Sequence, residues 1–184
     1  MVTIASLWLP ILLAAVLVFI VSSLIHTVLP YHRSDFAAVP DESAVRAGLS
    51  GVPAGDYVVP HAASNEERSS EEFKAKMKEG PAAFVTVLPR GESGMGGSLV
   101  QWFLYCVLIG IFAAYLAGRT LAPGADYLTV FRITGTTAFA AYGLALPQSS
   151  IWMSRKWSST LKSVFDALVY SLLTAGAFGW LWPG

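Results

Sequence analysis

Residues 26–35 read HTVLPYHRSD, and they close an uncharged apolar run that begins at Ile4. The composition changes abruptly here. Two of the three histidines flank Pro30, and Arg33 and Asp35 are the first charges in the chain. A run of this length exceeds the ~20 apolar residues that a spanning helix needs. Pro30 blocks its simple continuation, and Tyr31, His26 and His32 suit the headgroup layer. The stretch therefore reads as the exit of a helix from a membrane, with both histidines hydrogen-bonding headgroups or carbonyls.

The rest of the chain supports that reading. Of its 184 residues, 54% are hydrophobic and 13% charged, about half the charge of a typical soluble domain. Most charges lie between Arg33 and Glu92. Three further apolar segments follow: Ser98 to Leu121, Tyr127 to Trp152, and Leu161 to Trp182. The third carries Arg132 and Pro147 and is the most irregular. The first segment lacks a basic n-region and outruns a signal-peptide core, which argues for an uncleaved helix.

The expected fold is an all-α integral membrane protein with four transmembrane helices and a small cytoplasmic α+β insert. Helix 1 would occupy residues 1–29, the insert 30–97, and helices 2–4 residues 98–184. Arg33, Arg90, Arg155, Lys156 and Lys162 flank one side, which the positive-inside rule makes cytoplasmic. Both termini would then lie outside a bacterial inner (plasma) membrane. Trp8, Tyr127, Trp180 and Trp182 would form one aromatic belt, and Tyr31, Trp102, Trp152 and Trp157 the other.

Within the insert, PDESAVRAG predicts a short helix capped by Asp41, and GDYVVP a strand. Residues 65–79 predict one helix, with Ser64 and Glu67 at capping-box spacing and Gly80-Pro81 as its stop. AAFVTVLP predicts a second strand. Phe73 and Met77 make the only apolar stripe on the charged helix.

Motifs for chemistry are scarce. GESGMGGS, residues 91–98, approaches a P-loop, but Gly97 stands where the lysine must be. A glycine hinge into helix 2 explains it better. No G-x-S-x-G, H-E-x-x-H or C-x-x-C occurs, so no catalytic residue is assigned and an enzyme is not the expectation. Cys106, the single cysteine, forms no disulfide within the chain. His26, His32 and His61, even with Asp35 or Asp56, match no metal-site spacing, so no metal is expected. With one histidine at most in any span, a bis-histidine haem within one chain is not expected either.

Asp166 is the exception, because an ionisable group inside a span is costly and often functional. It sits slightly to the cytoplasmic side of the midplane, level with Tyr105 and Cys106, and Lys162 lies one turn before it. Candidate polar site residues are Asp166, Tyr105, Gln101, Arg132 and His26. Gly110, Ala114 and Gly118 line one face of helix 2, and Ser171, Ala175 and Gly179 one face of helix 4. Small faces permit close helix contact, with each other or with a neighbouring subunit.

The zero net charge speaks against nucleic acid as a partner. The expected partners are the lipid bilayer and other membrane subunits or copies of the chain itself. The leading functional expectation is a non-enzymatic accessory subunit or assembly factor of a larger membrane complex. A small oligomeric transporter or channel, using Asp166, Tyr105, Gln101 and Gln148, comes second. A haem- or quinone-associated redox protein comes third, and the cofactor is left open.

Overall fold

The structure is a computed structural model that describes residues 2–91 and 94–184. It is mostly helical and divides into two compact units, Met1–Ala37 with Met95–Gly184 and Ala38–Gly94.

The first unit is a helical bundle. After a 3-10 turn at Ala5–Leu7, α1 runs Trp8–Thr27, and a second 3-10 turn occupies Pro30–Ser34. The chain returns to the bundle as α5, Met95–Thr120, followed by α6, Tyr127–Tyr142, α7, Pro147–Met153, and α8, Trp157–Trp180. Three helical stretches are long and apolar enough to cross a membrane: Ala5–Thr27, Met95–Thr120 and Trp157–Trp180. Their outward faces carry large apolar residues such as Ile20, Leu24, Leu104, Phe112, Phe165 and Leu172, all exposed. A helix apolar on both faces fits lipid outside and protein inside.

The third expected span takes a different form. α6 has 16 residues, a length of about 24 Å against a hydrocarbon thickness of about 30 Å. The helix ends at Gly143, and Pro147 opens the separate α7 at its first turn. Proline lacks the N–H that an uninterrupted helix would use there, which explains a break at this place. α7 ends on Ser154 in the left-handed conformation, with φ 53°.

Neighbouring helices form a ring in the order α1, α5, α6, α8. Gly110 lies against Ile11 and Gly118 against Val2, so α5 uses its small face on α1. On the other side of the ring, Cβ atoms added at Gly135 and Gly143 would lie 3.0 Å from Ala175 and Ala167. Gly179 faces the Tyr127 ring at the same interface. The small faces of α5 and α8 therefore serve contacts inside the chain, with α1 and α6 as partners.

These contacts also give direction. Val2, the α5–α6 loop and the C-terminus share one end, where Gly124 N–H donates to the Pro183 carbonyl at 2.8 Å and Trp182 Nε1 to Ala122 at 3.0 Å. The turn at Pro30–Ser34 and the start of α8 share the other. One apolar core, around Leu7, Ala114, Val130 and Phe178, sits toward the first end. A second, around Val18, Cys106, Ala138 and Tyr170, sits toward the other. Buried Thr134 and Thr174 hydroxyls donate to carbonyls one turn back in their own helices, so they cost the core little.

The second unit holds α2, Glu42–Leu49, β1, Gly55–Val59, α3, Asn65–Ser69, α4, Glu71–Glu79, and β2, Ala83–Val87. β1 and β2 pair antiparallel, with Tyr57 opposite Val85. Asp41 caps α2, accepting from Ala44 N–H at 2.9 Å. The single helix expected over 65–79 is two. Ser64 caps α3 through Glu67 N–H at 3.1 Å, and Ser70, in extended conformation, caps α4 through Phe73 N–H at 3.1 Å. Serine competes for backbone groups in this way, and a serine pair in mid-run offered a second start. Glu67 also reaches back, accepting from Ala63 N–H at 2.7 Å. Of the expected glycine hinge, residues 92 and 93 lie outside the described residues. Gly96, Gly97 and Ser98 already belong to α5.

Candidate functional site

The last two turns of α1 carry Ser22, Ser23, His26 and Thr27 on an otherwise apolar helix. The serine and threonine hydroxyls donate to carbonyls three or four residues back, as do many hydroxyls in apolar helices. His26 Nδ1 lies 3.0 Å from the Ser22 carbonyl, which accepts its proton. Ser22 Oγ also accepts from Trp102 Nε1 at 2.9 Å, tying α5 to α1. Half-buried Trp102 is thereby turned toward its neighbouring helix.

Beyond Thr27 the 3-10 turn folds the chain back over the helix end. His32 stacks on His26, with ring centroids 4.6 Å apart and planes at 11°. His32 Nδ1 lies 2.6 Å from Asp35 Oδ2, and Nε2 lies 2.8 Å from Asp166 Oδ2 on α8. A neutral imidazole has one N–H and serves one of these carboxylates; with a proton on each nitrogen it serves both. The Tyr31 hydroxyl donates to the other oxygen of Asp166. Lys162 Nζ lies 2.9 Å from Asp35 Oδ1 and 2.8 Å from Ser34 Oγ, and it also donates to the Tyr31 carbonyl.

The result is a clasp of two carboxylates, one lysine and one histidine that fastens the turn to α8. Asp166 is 3% exposed. The side chain of Asp35, just beyond the helix, is 7% exposed, and burial by itself raises a carboxyl pKa. The His32 and Lys162 hydrogen bonds and the Lys162 charge outweigh it, and hold Asp35 at about 2. Tyr31 moves the opposite way. Burial, then the hydrogen bond and charge of Asp166, raise its hydroxyl pKa.

Beside the clasp lies a pocket of about 460 Å³. His26 and Asp166 reach its wall, with Trp102, Tyr105, Tyr142 and Tyr170. The four aromatic rings pack mutually, Tyr142 and Tyr170 at 5.6 Å and Trp102 and Tyr170 at 6.0 Å between centroids. Met95, Leu99 and Leu146 make the lining largely apolar. A polar corner, an aromatic wall and an apolar flank in one pocket are the usual composition of a small-molecule site.

Of the candidates read from sequence, Asp166, Tyr105 and His26 meet at this pocket. Gln101, Gln148 and Arg132 are exposed and do not line it. His32, Asp35, Lys162 and Tyr31 were missed as site residues; His26 bonds a backbone carbonyl, one of the two partners expected for it, and His32 meets two carboxylates. Lys162, one turn before Asp166, has the spacing to pair with it. It pairs with Asp35, since Tyr31 and His32 already occupy both oxygens of Asp166.

No family model, curated protein or solved structure matches this chain.

Proposed function

We propose that this protein is an integral membrane protein that binds a small amphiphile from the bilayer, with its polar head at His26 and Asp166. The supporting observation is the pocket, in which a buried carboxylate and an imidazole border four aromatic side chains and an apolar flank. A planar hydrogen-bonding head, such as that of a quinone, matches this lining. The rings would stack on it and the two polar groups would orient it. His26 and His32 lie stacked side by side, a poor arrangement for ligands on opposite faces of a haem.

In this reading α6 and α7 together make the fourth crossing, as a broken helix whose loosened backbone is covered by α8. Asp166 and the Pro30–Ser34 turn then lie near the cytoplasmic face of a bacterial inner membrane, with the termini outside. Lys156 and Lys162, near Arg33, support that side.

An accessory-subunit role would have to use other surfaces, because the small-residue faces that suggested docking are engaged within the chain. A transporter would use the same pocket, and flux into liposomes distinguishes it from a static binder.

Purification in mild detergent followed by solvent extraction and mass spectrometry tests the proposal. A stoichiometric amphiphile should accompany the wild-type protein and be lost from Leu146→Trp, which fills the pocket. Wild-type protein that carries none, or carries the same amount as Leu146→Trp, counts against it.

A further inference from the structure

The stacked histidines and Asp166 have a geometry that pocket binding alone does not use. One nitrogen from each of His26 and His32 and one oxygen of Asp166 lie within 4.8 Å of one another. The remaining polar atom of each group is already held. His26 Nδ1 donates to the Ser22 carbonyl, His32 Nδ1 faces Asp35, and the second oxygen of Asp166 accepts from Tyr31. That leaves His26 Nε2, His32 Nε2 and Asp166 Oδ2. Metal-bound histidines show this pattern, with the other ring N–H donated to a carboxylate or carbonyl that fixes tautomer and orientation.

We propose that His26, His32 and Asp166 form a binding site for a divalent first-row transition ion, with zinc the best fit to two imidazoles and one carboxylate. Ligands about 2.0–2.2 Å from a tetrahedral ion stand about 3.3 Å apart. His32 Nε2 and Asp166 Oδ2, now 2.8 Å apart, need to open only slightly, and the ion takes the place of the proton between them. The His26 ring, now stacked on His32 with the planes at 11°, must turn out of the stack to aim its nitrogen at the same point, and it borders the pocket, which gives the ring room. Charge agrees. The cluster sets two acidic side chains, Asp35 and Asp166, against one lysine, Lys162, which suits a cation between the ligands. The fourth coordination position faces the pocket, as both His26 and Asp166 line it. An ion there would stand between these two side chains and the head of a pocket ligand.

The test uses the full chain in detergent or nanodiscs, stripped with a chelator and titrated with Zn²⁺ by calorimetry. Wild type should bind one ion per chain. His26→Gln leaves the Tyr31–His32–Asp35–Asp166 contacts intact and should weaken binding at least tenfold. Asp35→Asn, which changes the carboxylate behind His32 without removing a ligand, should weaken it roughly 10–100-fold. His61→Ala, in the other unit, should bind as wild type does. X-ray absorption of the wild-type complex should show nitrogen and oxygen donors only, with two imidazoles. Absence of binding, undiminished binding by His26→Gln, or a sulfur ligand from Cys106 would overturn the site. None of these readouts requires an amphiphile, and solvent extraction of the same samples tests the pocket separately.

Discussion

His32 Nε2 meets Asp166 Oδ2 at 2.8 Å across 134 residues of sequence, which joins the turn after α1 to the interior face of α8. Removing one member of this part-buried pair leaves the other without its partner, at a cost of about 1–3 kcal/mol. Asp166→Leu should cost most, since it also leaves the Tyr31 hydroxyl without its acceptor. In a double-mutant cycle, His32→Ala and Asp166→Ala should show a coupling of about 0.5–3 kcal/mol. Thermal unfolding in one fixed detergent measures this, and strictly additive losses would refute the clasp.

Asp35 predicts an acid limb. Its carboxyl titrates at about 2 in the folded protein, below its ordinary value of 3.8. A depressed folded-state pKa means that the ionised group stabilises the fold above about pH 4, and that this contribution disappears as pH falls toward 2. His32 and Lys162 face it. Asp35→Asn should therefore be less stable than wild type at pH 6, with the gap closing toward pH 2. A gap that holds constant with pH would show that Asp35 acts by packing alone.

The glycines of α5 should behave in opposite ways. A Cβ at Gly118 would come within 2.5 Å of the Val2 carbonyl oxygen, so Gly118→Ala must push the chain start away from α5. Overpacking of this kind costs about 1–3 kcal/mol. At Gly97, in the first turn of the same helix, a Cβ meets no atom within 4 Å. Gly97→Ala should stabilise by about 0.4–1 kcal/mol through the unfolded chain. Matched melting curves of the two variants decide this by their sign.

Sequence and structure agree where a single segment carries the signal. The apolar lengths of α1, α5 and α8 mark them as long enough to cross a membrane without any knowledge of their neighbours. Asp41 and Ser64 announce their caps in the same local way. Asp166 stood out because a charge in an apolar run is visible alone. Its partners did not stand out, for a physical reason. Tyr31, His32 and Asp35 become a site only when the 3-10 turn folds them over α1, and that turn is set by contacts with α8. Lys162 shows the limit well. Helical spacing offers it Asp166, and tertiary structure gives it Asp35 instead. Ser70 marks a smaller limit, since a second cap inside a charged run looks like ordinary helix composition.

Topology offers the most decisive test, because the break between α6 and α7 bears on every functional reading. Gly124 lies at the end of the bundle shared with the C-terminus, through its bond to Pro183. Lys156, just after α7, lies at the other end, where it reaches the Ser34 carbonyl at 3.5 Å. If α6 and α7 together cross the membrane, these two positions face opposite compartments. The native thiol is buried, so Cys106→Ser provides a quiet background for labelling. In that background, a membrane-impermeant maleimide added to intact cells should label Gly124→Cys and spare Lys156→Cys. Permeabilisation should then expose the second position. Labelling of both positions in intact cells would contradict a crossing by α6 and α7, and with it the placement of Gly124 and Lys156 at opposite ends of the bundle.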